Sequence, residues 1–374
     1  SYTHVTRVTG EEDFQAILTS DDKGLTWTKR AESKALQGRL FNAGGKLYYL
    51  ATGKNLPIQV SVDNGETWSE IHYLKNDGKS WHQTAANTWT ANGNIYLTME
   101  QVKTRINAWN VAERMSFLMR AKLTDDLTKP QSWTYSSAMA FADVVPGVRE
   151  NNPDTEYFGM PFYPQDYPNR YCVVPQRTFS PMGWVESNVI QIKDATHYWY
   201  DPTGHTFHVF SRFHSGNTNY AGLTKVVEKA DGTMEMQIET APSGKKMVML
   251  PFPGGQMRFH ILYDEQTELY WLLSTQSFDS MKRAELLERD RYDLAFNERQ
   301  RLVLHFSKNM VDWCFAGLVA KERALNGSRH YACMDFDGDD IIILSRSGDY
   351  RAQSAHNGNL ITFHRIENFR QLIY

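Results

Sequence analysis

The chain has 374 residues, with 40 Lys and Arg against 43 Asp and Glu, so its formal net charge is −3. The near-neutral charge and the lack of basic runs argue against a nucleic-acid partner. No apolar run approaches the roughly 18 residues that a membrane-spanning helix needs. Hydrophobic residues make up 41% of the chain, which is too high for a disordered protein. The three cysteines lack metal-ligand spacing and leave room for at most one disulfide bridge.

The first predicted elements form a repeat. Residues 20–27 and 61–68 both read Ser-x-Asp-x-Gly-x-Thr-Trp, and they begin 41 residues apart. A period of this length indicates a propeller or a solenoid. The Ser and Asp side chains can bond nearby backbone N–H groups, and Gly accommodates a positive φ. Each segment is therefore predicted to be a hairpin turn closed by a polar clasp, with its Trp packed between neighbouring blades. Weaker copies are predicted at residues 124–133 and 307–313.

A second repeating unit consists of an apolar strand, a Gly or Asp turn and an aromatic-rich strand. It occurs at residues 39–50, 87–97, 160–174, 198–210, 259–273 and 332–344. Asn-Gly and Asp-Gly between alternating apolar residues are strong hairpin signals. Together with an N-terminal hairpin at residues 6–27, these units predict an all-β fold. The expected architecture is a single β-propeller domain over residues 1–374, with seven blades favoured and six as the alternative.

Two kinds of segment depart from this pattern. Residues 281–301 are rich in Glu, Arg and Leu and are predicted to be a helical insertion. The segments 105–113, 143–156 and 211–219 are long enough to be loops that shape a pocket.

The position of a functional site follows from propeller topology. The turns after the first and third strands of a blade lie on one face, and the Asp-containing motifs are expected in the latter turn. The opposite face is therefore built from the starts of first strands and the ends of second strands. Residues predicted there are rich in Arg and His, and Glu100 is their only acid. Because the Arg fork matches a planar carboxylate, the face is interpreted as a pocket for an anionic sugar.

Individual residues of this face receive specific roles. A structural or solvated role is the alternative for each of them, and His356 and His364 are assigned structural roles outright. His197 is placed on this face as a strand start. The predicted catalytic residues are His82, His214 and Tyr163, and the predicted substrate-binding residues are Arg177, Arg212, Arg258, His260, Arg329, His330 and Arg346.

The two repeated motifs resemble the Asp box of sialidase-like β-propellers. Residues 335–346 and 359–365 resemble bacterial propellers of polysaccharide-utilisation systems. Within that group the chain is most similar to seven-bladed propellers that act on terminal rhamnose–glucuronate caps of gum arabic and arabinogalactan, which include α-L-rhamnosidases and rhamnose–glucuronate lyases. The resemblance implies a periplasmic or secreted protein whose signal peptide has been removed and whose partner is an acidic oligosaccharide or polysaccharide. True sialidases carry a Phe/Tyr-Arg-Ile-Pro segment, and its nearest counterpart here, at residues 38–41, lacks the Pro.

The composition of the predicted face favours one chemistry. Most glycosidases use two carboxyl groups, whereas β-elimination needs a cation on the uronate, a base and an acid, roles that Arg, His and Tyr can supply. A rhamnose–glucuronate lyase is therefore favoured over a His-based α-L-rhamnosidase, with an exo-sialidase and a non-catalytic glycan-binding propeller as further alternatives. No cofactor is required. A wet propeller channel could hold a calcium ion, although no ligand cluster in the sequence demands one. The sequence does not determine the oligomeric state.

Overall fold

The structure is a computed structural model that describes residues 2–9, 12–82, 86–106, 109–145, 182–214, 219–279, 286 and 298–374. The first part forms β1 (Tyr2–Val8), β2 (Phe14–Ser20), β3 (Thr28–Ser33), β4 (Arg39–Ala43), β5 (Lys46–Leu50), β6 (Gly53–Lys54), β7 (Pro57–Ser61), β8 (His72–Tyr73), β9 (Ser80–Trp81), β10 (Trp89–Ala91), β11 (Asn94–Val102), β12 (Arg114–Lys122), β13 (Trp133–Tyr135) and β14 (Met139–Ala140). The second part forms β15 (Gly183–Ile190), β16 (Thr206–His214), β17 (Tyr220–Glu228), β18 (Met234–Gln237), β19 (Glu239–Thr240), β20 (Lys246–Met247), β21 (Met249–Pro251), β22 (His260–Asp264), β23 (Leu269–Thr275), β24 (Arg301–Ser307), β25 (Cys314–Lys321), β26 (Ser328–Asp337), β27 (Asp340–Gly348) and β28 (Leu360–Ile366).

Helix is scarce in the described part of the chain. It comprises a short α-helix, α1 (Phe141–Val144), and 3-10 turns that include Pro130–Ser132 and Phe369–Leu372. None of the described helices is long and apolar enough to cross a membrane. The predicted helical insertion at 281–301 lies almost entirely outside the described residues.

The strands build the blades of a β-propeller. Six antiparallel sheets lie within the described residues and are numbered as blades 1 to 6 in chain order: β1-β2-β3, β4-β5-β7-β8, β10-β11-β12-β13, β15-β16-β17-β18, β22-β23-β24-β25 and β26-β27-β28. Strands β14 and β21 add to blades 3 and 4, while β6–β9 and β19–β20 form small separate pairs. The all-β propeller that the sequence predicts is therefore confirmed, and the seventh blade that it favours stays a prediction.

Most predicted hairpins match observed strand pairs. Residues 39–50, 87–97, 259–273 and 332–344 correspond to β4/β5, β10/β11, β22/β23 and β26/β27. The hairpin predicted at 198–210 was wrong in its first strand, because β16 pairs with β15 and residues 191–205 are the connection between them. The predicted hairpin at 160–174 lies outside the described residues.

Both repeated motifs adopt the expected clasp. In the first, Ser20 Oγ accepts a hydrogen bond from Gly24 N at 2.8 Å, and Asp22 Oδ1 accepts from Thr26 N at 2.8 Å. The second motif repeats these contacts at 2.8 and 2.9 Å. Gly24 has a φ of 90° and lies so close to Phe363 of blade 6 that an added Cβ would be 2.9 Å from its ring. Only Gly therefore fits this turn.

The motif tryptophans link neighbouring blades, as predicted. The Trp27 ring lies 6.1 Å from His4 in its own blade and 6.5 Å from Phe363 in blade 6. Trp68 packs in a small core cluster with Leu40 of its own blade and Val5 of blade 1. The weaker copy at 307–313 keeps a clasp one residue shorter, in which Ser307 Oγ accepts from Met310 N at 2.9 Å.

Side chains also join blades near the axis. Asn87 Nδ2 donates to Val189 O of blade 4 at 2.8 Å and to Ile261 O of blade 5 at 3.2 Å. Asn188 Oδ1 accepts from Ile261 N at 3.0 Å. Both asparagines are fully buried, so the bonds that hold these inner strands together are shielded from competing water.

The ring closes between blades 1 and 6. Tyr2 Oη donates to Asp337 Oδ2 at 2.6 Å, and Arg365 Nη2 donates to the same oxygen at 2.7 Å. The Tyr2 ring also stacks on Phe363 at 5.9 Å. The contacts that close the ring are therefore side-chain contacts between two three-stranded sheets.

We expect the fold to lose stability on mild acidification. Burial lowers the pKa of His4 and of His305 to about 4, whereas an unfolded His titrates near 6.5. Between these values only the unfolded chain binds the proton, so the free energy of unfolding falls as the pH drops from about 6.5 towards 4. The melting temperature should therefore be lower at pH 5.5 than at pH 7, a range in which carboxylates remain largely ionised. His305→Gln should lose less on acidification than the wild type, and an equal loss would contradict this account.

Candidate active site

Two strained residues mark the face opposite the clasps. Strand β15 has an irregularity between Val185 and Ser187, and β26 has one between His330 and Cys333. Glu186 and Tyr331 lie within these irregularities with φ of 58° and 48°. A left-handed conformation costs a non-Gly residue about 1–3 kcal/mol and persists where the surroundings impose it. Bulges of this kind redirect side chains, and they are common beside active sites.

Arg212, near the end of β16, joins the two strained residues. Its Nη1 donates to Glu186 Oε2 at 3.0 Å and to Tyr331 Oη at 3.1 Å, while its Nε donates to Gln256 O at 2.9 Å. The residue is only 4% exposed. Burial by itself would lower the pKa of Arg212, but Tyr331 and Glu186 raise it overall. Arg212 therefore remains charged and ties blade 4 to blade 6.

Three further arginines surround the same tyrosine. Arg258 Nη1 donates to Tyr331 O at 3.3 Å. The guanidinium groups of Arg346 and Arg299 lie 5.0 and 5.5 Å from the Tyr331 ring centroid. Together with Arg212 these residues form what we call the tyrosine cluster. Arg346 Nη2 donates to the backbone oxygen of His356, and among the described residues Arg346 forms no ion pair with a carboxylate.

Two histidines border the tyrosine cluster. Arg299 Nη1 donates to His330 Nδ1 at 2.7 Å, which places the ring hydrogen on Nε2. Burial, Arg299 and Arg346 hold the pKa of His330 well below its usual value. Burial and Arg299 lower the pKa of His356 to about 4, and its ring lies 6.3 Å from that of Tyr331. Both rings are therefore neutral near pH 7. The sequence analysis assigned His356 a structural role and did not place it beside Tyr331.

Blade 3 supplies the neighbouring part of the site. The Trp109 ring lies 5.2 Å from the Arg212 guanidinium and 5.3 Å from the His214 ring. Glu100 Oε1 accepts from Glu186 N at 2.7 Å, and the backbone of Glu100 pairs with that of His82. Burial, Arg114 and Arg105 lower the pKa of His82 to about 4. The structure thus brings both predicted catalytic histidines into the chain of contacts that leads to Arg212.

Further residues follow β26 and β22 along the inner strands. His260 lies 3.5 Å from Arg39 Nη2, and its Nδ1 accepts from Met334 N at 3.4 Å. Burial and the adjacent arginines hold the pKa of His260 well below its usual value. Arg258 Nη2 approaches Cys333 Sγ at 3.6 Å. Burial alone would raise the pKa of this thiol, but Arg258 and Arg39 lower it overall. Cys333 and Cys314 are both free thiols.

The remaining predicted residues have different positions. Arg329 Nη2 donates to Glu322 at 3.2 Å and Nη1 to Gly348 O at 2.9 Å, so the protein already binds its guanidinium. His197 was wrongly placed on this face, because it lies in the connection after β15 with Nε2 3.1 Å from Asn309 O. Arg177 and Tyr163 lie outside the described residues. In the described part of the chain no three His, Cys, Asp or Glu residues are arranged to hold a metal ion.

Sequence reasoning missed four residues of the site, one of them Arg299, which lies in the segment predicted to be a helical insertion. It counted Glu100 as the only acid, but the bulge in β15 adds Glu186 beside Arg212. It also missed Tyr331 and His356. The sequence analysis did identify their neighbours Arg329, His330 and Arg346. Proximity to these residues in the sequence was the signal that could have identified Tyr331 and His356.

Comparisons with known proteins give a likeness in overall fold alone. No protein-family model matches the chain, and no curated protein matches it at a significant level. A Dyadobacter fermentans protein of unknown function superposes with a TM-score of 0.51 at 11% identity, over 97% of this chain and 86% of that one. A Penicillium chrysogenum α-L-arabinanase complexed with arabinobiose gives 0.46 at 8% identity, over 96% and 86%. A Fusarium graminearum α-L-arabinofuranosidase gives 0.44 at 8% identity, over 95% and 85%. At these identities none of the three bears on the reaction.

We expect Arg212→Ala to destabilise the protein far more than Arg346→Ala. Removing Arg212 leaves the Glu186 carboxylate, 12% exposed, without its ion-pair partner, a change that typically costs about 3–5 kcal/mol. Denaturant unfolding measures the difference. Adding Glu186→Gln to Arg212→Ala should recover part of the loss, because the stranded charge is gone. Equal losses for the two arginine variants would contradict this role of Arg212.

Proposed function

We propose that the protein is a carbohydrate-active enzyme that cleaves terminal rhamnose–glucuronate linkages of gum arabic or arabinogalactan type by β-elimination at the tyrosine cluster. The observation that carries the proposal is the placement of Tyr331, at a φ of 48°, among Arg212, Arg258, Arg299 and Arg346. Arginine side chains gathered around one tyrosine hydroxyl suit a carboxylate-bearing sugar. The resemblance of the sequence to rhamnose–glucuronate propellers supports the same substrate. Export from the cell remains part of this proposal.

The reaction needs three functions that the cluster can supply. A cation on the uronate carboxylate stabilises the negative charge that develops when C5 loses its proton. A base takes that proton, the C5–H electron pair becomes the C4–C5 double bond, and the bond from C4 to the leaving oxygen breaks. An acid then gives the leaving oxygen a proton. The products are free rhamnose and an unsaturated uronate, and no water is consumed.

The described residues suit particular roles. Arg346 binds the carboxylate, because it is not ion-paired among the described residues and lies against the Tyr331 ring. Tyr331 and the neutral His356 exchange protons with the substrate. His82 and His214 stay predictions for the proton transfer, and they are linked to the cluster through Glu100 and Trp109. Tyr163, predicted for the proton transfer, stays a prediction, and Tyr331 supplies the same functional group.

Hydrolysis is the second candidate. Tyr331 Oη and Glu186 Oε2 both accept from Arg212 Nη1, at 3.1 and 3.0 Å. A tyrosine beside a carboxylate is the pair that an exo-sialidase would use, and the sequence alone did not reveal it. With Glu100 and Glu186 both near the site, the shortage of carboxylates that favoured elimination is smaller than predicted. The neutral His356 likewise suits a His-based rhamnosidase.

The products distinguish the two reactions. We expect incubation with gum arabic to release rhamnose and to generate the ultraviolet absorbance of an unsaturated uronate. In heavy-oxygen water the released rhamnose should carry no label, because elimination leaves the original oxygen in place. Labelled rhamnose together with a saturated glucuronate would refute the lyase and favour hydrolysis. Binding of the glycan without any release of sugar would favour the non-catalytic glycan-binding propeller.

Two variants test the assigned roles. Arg346→Ala should weaken binding of the acidic glycan roughly tenfold or more, because it removes a charge-assisted contact. Tyr331→Phe should abolish turnover while binding persists, since it removes only the hydroxyl. Lys308→Ala is the matched control, because this lysine is paired with Asp194 away from the site. Unchanged turnover in Tyr331→Phe would place the chemistry elsewhere.

A further inference from the structure

Three exposed apolar side chains lie on the same face as the tyrosine cluster. Phe278 is 74% exposed, Tyr350 75% and Leu325 45%. Phe278 follows the end of β23, Leu325 lies between β25 and β26, and Tyr350 follows the end of β27. These three connections belong to the ends of blades 5 and 6 that also carry His330 and Arg346. We call the three side chains the apolar rim.

The backbone of the apolar rim is held by hydrogen bonds. Phe278 N donates to Glu298 Oε2 at 3.2 Å. Gln300 Nε2 donates to Leu325 O at 3.0 Å, and Asn326 Nδ2 donates to Tyr350 O at 2.8 Å. Each apolar side chain is therefore presented to solvent from a backbone that polar side chains position.

A cation orients each aromatic ring. The Arg301 guanidinium lies 4.0 Å from the centroid of Phe278 and is paired with Glu298 at 3.1 Å. The Arg351 guanidinium lies 5.7 Å from the centroid of Tyr350 and is paired with Asp349 at 2.6 Å. The paired cations contribute little net charge, but they fix the rings from one side. The exposed remainder of each ring is apolar surface bordered by hydrogen-bonding groups, a surface that suits the C–H face of a sugar ring.

The apolar rim is continuous with the tyrosine cluster. Gln300, which binds Leu325 O, directly follows Arg299, which binds His330. Arg299 O also accepts from Arg329 N at 2.7 Å. The three side chains come from connections at the same ends of two neighbouring blades. A stable protein partner would need roughly 1,000 Å² or more of well-packed surface, whereas a polysaccharide chain needs a row of separate contacts.

We propose that the apolar rim binds the part of the polysaccharide that continues beyond the cleaved end group, so that the enzyme prefers polymeric substrate to an isolated end group. This inference rests on the proposed function, because it takes the tyrosine cluster as the point of cleavage. Phe278 and Tyr350 stack on sugar rings of the chain, and Leu325 adds a further apolar contact.

The test compares long and short substrates in the full chain. In the Phe278→Ala/Tyr350→Ala variant we expect KM for gum arabic to rise roughly tenfold, while kcat/KM for a rhamnosyl-glucuronate disaccharide stays at the wild-type value. Tyr198→Ala is the matched control, because this 63% exposed ring lies on the opposite face. Its KM for gum arabic should not change.

Binding and self-association measurements separate the failure of this inference from that of the proposed function. If the wild type cleaves gum arabic and the double variant keeps its KM, only the rim proposal is wrong. If the wild type binds gum arabic in affinity electrophoresis without cleaving it, and the double variant binds more weakly, the rim proposal holds and the catalytic one fails. A wild type that neither binds nor cleaves overturns both. A dimer that the double variant abolishes in light scattering, with glycan binding intact, would make the rim a contact between copies and overturn the inference.

Discussion

The guanidinium of Arg212 determines the geometry of the candidate site. One of its nitrogen atoms bonds to Glu186 and Tyr331, which lie in irregularities of the first strands of blades 4 and 6. Neither residue would hold a left-handed backbone conformation without such surroundings. Arg212 is nearly buried, so these contacts act in a medium where charge is poorly screened. Arg212 at the hydroxyl and Arg258 at the backbone oxygen together hold Tyr331 beside the other arginines.

The two faces of the propeller carry different features. The Ser-Asp clasps and their tryptophans stabilise turns and blade contacts at one end of the sheets. The bulged residues Glu186 and Tyr331 lie at the other end, together with Arg346, which forms no ion pair with a carboxylate among the described residues. Loops at that end can vary the site without loosening the blades. The repeated motif therefore reports the architecture and says little about the reaction.

Sequence reasoning recovered local features and missed those that depend on distant contacts. Asn-Gly and Asp-Gly turns carry their conformation in adjacent residues, so β10/β11 and β26/β27 could be predicted. The error in blade 4 arose because Tyr198 and Trp199 in the connection after β15 mimic an aromatic strand. The bulges at Glu186 and Tyr331 leave no comparable local signal. His356 follows β27 in a loop, and only the path of that loop brings it near Tyr331. Arg212, Arg258 and Arg346 were predicted because the ends of strands can be located in the sequence. Arg299 and the shared contact with Tyr331 were not predicted.

The ring also has a seam. Blades 1 and 6 each contain three strands, and no backbone ladder joins them among the described residues. Tyr2, Asp337 and Arg365 close the circle through side chains that are partly open to water. Such contacts are weaker and more sensitive to salt than the buried asparagine bonds that join blades 3, 4 and 5. Thermal opening should therefore begin at this seam, with amides of β1 and β28 exchanging hydrogen before those of the inner strands of blades 4 and 5. Strand β26 would transmit that motion to the site on blades 4 to 6.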